Sequence, residues 1–435
     1  MPTPLTDNPV SRIDDDAFGF RPYIEELHAA VAAAISLPMT VGVFGPWGSG
    51  KSSFLKMWED LLSFAPTTRT LWFNPWKYDQ KVEVWAALIQ SLLAEIRTTE
   101  DETLRIKAGR LARAATWLGV RGVAGSLVGG LTGGLVSAAA MDQLWTELGE
   151  RESDYYRQLN RFEVDFAETV EQFVGEQGRL VVFVDDLDRC TPAAALNVME
   201  ALKLFIGDAR CVFVLAMDFD LLAAAAGTRF GELAPGSGAA YLEKIVQLPF
   251  FLPDVGFETL RYAVGPSAGP LADSEAFWEL VRLGFGTNPR RVKRYLNVLN
   301  LATTIAAREG GNELSTDQRL QLAELLIIRS EHRAFFRHLL VDPGAWQRLE
   351  QSPALPPPGS ADPVELVRNT DATLTPFLDN QSLTGLLRTR PGAYNDHPSA
   401  PAGRDVERMI RTVRLAAGLP DHRPGETESA GRSSG

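Results

Sequence analysis

The sequence predicts an α/β fold, a parallel sheet covered by helices on both faces, followed by a helical region. Three observations predict it. Short, unbroken apolar runs alternate with segments of helical periodicity, one run ends in a glycine-rich turn that opens a helix, and the strand signal fades beyond residue 255. The chain has 435 residues, 45% hydrophobic and 23% charged, enough for two or three domains with sizeable cores. Acidic residues outnumber Lys and Arg by 55 to 43 and leave a net charge of −12. That balance argues against a chain-wide basic surface for nucleic acid. Two cysteines, Cys190 and Cys211, make no disulfide framework, which points to a reducing, cytoplasmic compartment. The first twenty residues hold Asp14, Asp15 and Asp16 and no apolar run, so no secretory signal is expected.

Taken in order, residues 1–16 read as a flexible arm. Ile24, Leu27, Val31 and Ile35 recur at helical spacing and predict an amphipathic helix over 23–35. Residues 39–44 form a short buried strand, 53–62 a helix, 69–73 a second strand and 86–96 another helix. A helix over 161–174 leads into a strand at 180–184. Residues 193–205 are helical, and 211–216 is the next apolar strand. Helices are expected over 276–284, 292–307 and 318–340. Proline-rich 352–363 reads as a linker or surface loop, and from residue 418 the composition is that of a disordered tail.

Gly45-Pro46-Trp47-Gly48-Ser49-Gly50-Lys51-Ser52 matches G-x-x-x-x-G-K-[ST] in full, between a buried strand and a helix. Such glycines turn backbone N–H groups inward as an anion nest, and the helix N-terminus adds its positive end. Lys51 would reach the β- and γ-phosphates, Ser52 would place its hydroxyl on Mg²⁺, and Ser53 completes the loop. Downstream, the apolar run 180–184 ends in Asp185-Asp186-Leu187-Asp188-Arg189. Asp185 is the expected Mg²⁺ carboxylate, and Asp186 the group that polarises the attacking water. In the additional-strand (ASCE/AAA-like) class of P-loop ATPases, the strand after this one lies beside the phosphate-loop strand and ends in a polar sensor. Asp218, after 211–216, is the sensor candidate. Cys190 and Cys211 fall at opposite edges of such a sheet and should stay reduced.

Five stretches carry a family resemblance: Phe44–Ser53, Phe73-Asn74-Pro75-Trp76-Lys77-Tyr78, Asp185–Cys190, Tyr241–Phe250 and Asn288-Pro289-Arg290-Arg291-Val292-Lys293-Arg294. They resemble the KAP family of P-loop NTPases over roughly residues 17–300. The resemblance implies ATP or another NTP with Mg²⁺, a helical lid after the core, and an arginine of 288–294, Arg290 or Arg291, near the γ-phosphate. A solvated basic helix face and a small nucleic-acid patch stay open for the same arginines. Phe18, Gly19 and Phe20 either shelter the base or pack in the core. The expected organisation is an arm (1–16), an NTPase core (17–255) interrupted by an insertion (104–145), a lid (256–345), a region of unassigned role (346–417) and a tail (418–435).

KAP members often carry transmembrane helices between the two motifs, and here 122–141 is a charge-free, glycine-rich run of twenty residues. Lys51 and Asp185 must meet on one side of any membrane, so the chain between them crosses an even number of times. Two crossings need about 40 apolar residues, and Trp117–Trp145 supplies 29. A re-entrant hairpin, a helix packed on a second copy or a protein partner, and a disordered loop remain. Upstream, Arg105, Lys107, Arg110, Arg113 and Arg121 occur with no acidic residue among them, and Leu104, Leu111, Ala115 and Leu118 suggest an apolar face, a basic amphipathic helix suited to an anionic membrane surface or to docking on the core. The expected function is an ATP-driven conformational switch, in the setting of phage exclusion that the resemblance permits. The alternative is a nucleotide-dependent scaffold with little turnover.

Overall fold

The computed structural model describes residues 3–34, 37–65, 67–77, 84–113, 161–192, 194–196, 198–199, 209–230, 237–350, 373–388, 401 and 403–417. Within them the chain divides into two compact units, one of Pro9–Pro253 and one of Met1–Asn8 with Asp254–Gly435.

The first unit is built on five parallel strands: β1 (Met39–Phe44), β2 (Thr68–Phe73), β3 (Arg179–Val184), β4 (Cys211–Met217) and β5 (Leu248–Phe251). Their order across the sheet is β2-β3-β4-β1-β5, so β4 separates the strand that precedes the glycine loop from the strand that ends in aspartates. Register aligns Phe44 with Met217 and with Phe251, and Val184 with Phe73 and with Leu215, so all strand ends face one edge. The helices are α1 (Arg21–Ala32), α2 (Lys51–Leu62), α3 (Val84–Ile96), α4 (102–113), α5 (161–174), α6 (described at 192, 194–196, 198 and 199), α7 (Phe219–Phe230) and α8 (Ser237–Glu243). Alternation along the strands puts Phe183 and Phe44 on opposite faces. Trp58 of α2 meets Phe183 with ring centroids 6.0 Å apart, and Phe219 of α7 meets Phe44 at 5.1 Å, so helices cover both.

Strand β5 was not expected from the sequence. It has four residues and contains Pro249, which is tolerated because β5 is the edge strand beside β1. Phe250 stacks on Phe54 at 5.3 Å and ties this edge to α2. The basic helix α4 turns Leu104, Ala108 and Leu111 into the core that holds Leu88, Leu92, Phe162 and Phe166. Of the two readings open for this helix, docking on the core holds for the apolar face of residues 104–111; the rest of the insertion, from residue 114 on, lies outside the described residues. Among the described residues no helix is long and apolar enough to cross a membrane. Both cysteines are buried and are not bonded to each other, and burial pushes the Cys211 thiol up to about 12.

The second unit is helical in its described residues: α9 (Phe257–Val264), α10 (Glu275–Phe285), α11 (Pro289–Gly310), α12 (Thr316–Glu331), α13 (Arg333–Val341), α14 (Ala345–Glu350), α15 (Thr375–Leu378), α16 (Gln381–Arg388) and α17 (Gly403–Ala417). Helix α12 buries Leu320 and every residue from Leu322 to Ile328, and so runs through the middle of this unit. The single helix expected over 318–340 is broken at His332, whose backbone leaves the helical region. The break turns Phe335, Phe336 and Leu339 of α13 inward. The region of unassigned role supplies α15 to α17, with Val406, Ile410 and Val413 buried; the expected tail beyond 418 lies outside the described residues.

Residues 3–8 belong to the helical unit and 9–16 to the sheet unit, and in each unit their polar groups find partners distant in sequence. In the helical unit Leu5 exchanges two hydrogen bonds with Asn297, at 2.8 and 2.7 Å, and Asp7 pairs with Arg290 and Arg294. In the sheet unit the Val10 N–H donates to the Ser53 hydroxyl, the Ile13 N–H donates to Asp60, and the Ile13 side chain is buried. Burial alone would raise the Asp7 carboxyl, but Arg294 and Arg290 outweigh it and hold the group below its ordinary 3.8. A depressed carboxylate contributes stability above its unfolded pKa and loses it as pH falls through the folded value. Amide exchange at Leu5 should therefore be protected at pH 6 and lose that protection below about pH 4, ahead of the exchange at α12.

Candidate nucleotide site

From Phe44 the chain turns through Gly45–Gly50 into α2 at Lys51. The Gly45 N–H donates to the Met217 carbonyl at 3.2 Å and fixes the start of the loop to the end of β4. Gly48 and Gly50 stand at φ of +88° and +107°, a region that side chains rarely enter. A Cβ on Gly50 would lie 3.0 Å from the Phe20 ring. Phe20 itself is buried and meets Phe54 edge-on at 5.8 Å, which decides for core packing at that position. Trp47 projects from the loop with 63% of its surface exposed.

Lys51 is buried. Its Nζ donates to the Gly45 and Pro46 carbonyls at 2.9 and 3.2 Å and pairs with Asp188 at 3.1 Å. The Ser49 hydroxyl lies against Gly45, buried and without a hydrogen-bond partner. An orphaned buried hydroxyl costs about 1–3 kcal/mol, and a phosphate oxygen in the loop would satisfy it. Ser53 faces the other way, its hydroxyl taken by the Val10 N–H.

Asp185 directly follows β3 in a buried position, its N–H donating to the Phe73 carbonyl. The Ser52 hydroxyl donates to Asp185 Oδ1 at 3.1 Å, joining residues 133 positions apart. Burial pushes the Asp185 carboxyl up; the charges of Asp186 and Asp188 push the same way, against the Ser52 hydroxyl and the Asp186 N–H. Carboxylates crowded out of water favour a cation between them. A hydroxyl and a carboxylate are hard oxygen donors and fit Mg²⁺, whose remaining positions are usually filled by water and phosphate.

Asp186 stands at φ +60°, the only non-glycine residue at positive φ among the described residues. Its Oδ2 accepts from Asn74 Nδ2 at 2.7 Å, and its Oδ1 pairs with Arg189 Nε at 2.6 Å. The Arg189 guanidinium also lies over the Trp76 ring, 5.9 Å from its centre. Asp218 follows β4, accepts the Leu221 N–H at 3.2 Å, and lines with Leu187, Asp188 and Met217 a cavity of about 20 Å³. Lys51, Ser52, Asp185, Asp186 and Asp218 thus gather at one edge of the sheet. Arg290 and Arg291 belong to the helical unit, where Arg290 pairs with Asp7 and Arg291 pairs with Glu331 at 2.5 Å over the Phe285 ring.

Sequence reasoning gave no role to Asn74, Asp188 or Arg189. Asn74 was visible only as part of the stretch 73–78, and its meaning depends on β2 lying beside β3. Asp188 and Arg189 stand in the sequence only as neighbours of the strand-end aspartates; the short helical turn Leu187–Arg189 aims one at Lys51 and the other at Asp186.

Residues 20–306 match the model of the KAP family P-loop domain. The chain belongs to the KAP family of P-loop NTPases. Among curated relatives, this KAP chain is 25% identical over 286 residues to the phage T7 exclusion protein of Escherichia coli K12, covering 57% of the chain and 34% of that protein. It is 24% identical over 188 residues to the human kinase D-interacting substrate of 220 kDa, covering 41% of the chain and 10% of that protein. The match thus spans between 7% and 34% of the length of these curated relatives. Among solved structures, the Aeropyrum pernix ORC1 protein in complex with DNA aligns with a TM-score of 0.38 at 11% identity, covering 93% of this chain and 85% of that one. At that score the fold rests on the sheet order and the family match.

The loop geometry makes the first site prediction. Gly50→Ala places a side chain at φ +107° against Phe20, which costs about 1–3 kcal/mol. Denaturant unfolding should show that loss, and a fluorescent ATP analogue should bind at least tenfold more weakly than to the parent.

Proposed function

We propose that this KAP NTPase binds Mg–ATP in the 45–52 loop and hydrolyses it, using the cycle to switch conformation. The observation that carries the reading is the Ser52–Asp185 contact at 3.1 Å, with Lys51 and Asp186 beside it. The orphaned Ser49 hydroxyl and the inward glycines suit phosphate oxygens, and Lys51 would exchange Asp188 for phosphate charge. Ser52 and Asp185 would hold Mg²⁺, which when bound neutralises charge on the phosphates. Asp186 orients the attacking water and takes its proton, and Asp218 marks the neighbouring strand end. Arg290 or Arg291 would stabilise transition-state charge only after leaving Asp7 or Glu331. The likeness to the phage T7 exclusion protein supports phage exclusion as the biological setting.

The alternative is a scaffold in which bound ATP orders the chain with little turnover. In this structure Lys51 pairs with Asp188 and Asp186 with Arg189, which favours it to that extent. The two separate in one assay. Parent and Asp186→Asn should both bind Mg–ATP, and the variant should lose at least tenfold in kcat, about 1.4 kcal/mol of barrier. Equal binding with no turnover in either would assign the protein to the scaffold class.

A further inference from the structure

Asp186 can act on water only through a lone pair that is free and aimed at it. Here the Oδ2 lobe toward Asn74 and the Oδ1 lobe toward Arg189 are both taken, at 2.7 and 2.6 Å. The two partners differ in how they are held. Asn74 sits at the end of β2, anchored by the strand pairing beside β3. Arg189 reaches Asp186 by a side chain 37% exposed, and its other support is the face of Trp76, itself 53% exposed. A charge-assisted bond at 2.6 Å is strong where water is excluded, but this pair is shielded on the Asp186 side only, and water can reach the guanidinium and take its place.

The side-chain pair is not needed to close the turn. The Arg189 N–H already donates to the Asp186 carbonyl at 3.1 Å, and the Cys190 N–H to the Leu187 carbonyl at 3.2 Å. What the guanidinium adds is a grip on the carboxylate of a residue held at φ +60°, a conformation that costs about 1–3 kcal/mol and persists only when its surroundings enforce it. Lys51 shows the same arrangement one residue earlier, where Asp188 occupies the ammonium that phosphate would need. The short turn after β3 therefore carries counterions for both charged groups of the site.

We propose that Arg189 is a positioning residue that restrains Asp186 in the resting chain, and that its departure from Oδ1 frees the water-orienting carboxylate. The proposal rests on the hydrolytic reading above. In the step it gates, the water oxygen bonds to the γ-phosphorus and the bond to the bridging oxygen breaks. The electron pair leaves with ADP, and the water proton passes to Asp186 Oδ1 and from there to the phosphate. Asn74 keeps the carboxylate plane fixed while Oδ1 changes partner. Trp76 is the perch from which the guanidinium leaves.

The test is steady-state turnover at saturating Mg–ATP for the full chain, Arg189→Ala, Arg189→Lys, Asp186→Asn and the Arg189→Ala/Asp186→Asn pair. Arg189→Ala should raise kcat at least threefold with KM within twofold of the parent. Arg189→Lys, which returns a cation, should fall back toward the parent rate. The double variant should drop to the level of Asp186→Asn, because a restraint has no effect once its target is gone. Binding of a fluorescent ATP analogue confirms that each variant is folded, and Arg189→Gln serves if the alanine variant is not. If Asp186→Asn loses turnover while Arg189→Ala is no faster than the parent, the restraint is overturned and the hydrolytic role stands. If Asp186→Asn keeps the parent rate, the role given to Asp186 fails and the restraint with it. Nucleotide binding without turnover in every variant overturns both.

Discussion

A single hydrogen bond, from the Ser52 hydroxyl to Asp185, sets the geometry on which the rest of the site depends. Its two residues leave strands that are not neighbours, because β4 lies between β1 and β3. Parallel strands are spaced about 4.8 Å apart, so the two strand ends start about 10 Å apart and the glycine loop must fold back over β4. The Gly45 bond to Met217 makes that return possible, since it pins the loop to the strand it crosses. Left-handed Gly48 and Gly50 then bring α2 in at an angle that presents Lys51 and Ser52 together. Because all five strands are parallel, the aspartates of β3 and β4 emerge on that same edge.

The electrostatics follow from that convergence. Three carboxylates, Asp185, Asp186 and Asp188, meet at the end of one buried strand, and repulsion among them must be offset. Lys51, Arg189 and the Asn74 amide provide the offset. Asp185 alone has no cation, only a hydroxyl and an N–H, and its carboxyl is pushed up by burial. It is the position where a divalent ion would relieve the most strain. The repulsion is thus offset only in part by the site's own side chains, Lys51 and Arg189 supplying two cations for three carboxylates.

How much of this was legible in the sequence depends on how local each cause is. The four longer strands, the glycine loop and the aspartates of β3 could be read because apolar runs and loop chemistry act over a few residues. The cover on both faces followed from runs with no polar alternation. Strand β5 could not be read: Leu248–Phe251 is short and contains a proline that only its edge position permits. The break at His332 is set by packing around α12, and the local pattern runs through it. The basic face of α4 was plain, but whether Leu104 and Leu111 met a membrane or the core was a tertiary question. Asn74 and Arg189 were least legible, because their role exists only once β2 lies beside β3 and the turn after β3 has closed. The partners of Leu5 and of Ile13 belong to the same class, since Asn297 in the one unit and Asp60 in the other lie far along the chain.

The central claim is that Ser52 and Asp185 act as one unit on one bound ion. The most direct measurement is a double-mutant cycle on Mg–ATP affinity by titration calorimetry, using Ser52→Ala, Asp185→Asn and the pair. Residues that share an ion are coupled, so the double variant should be little weaker than the worse single one, with a coupling of about 1 kcal/mol or more. Additive losses, or affinity unchanged by Asp185→Asn, would contradict the account.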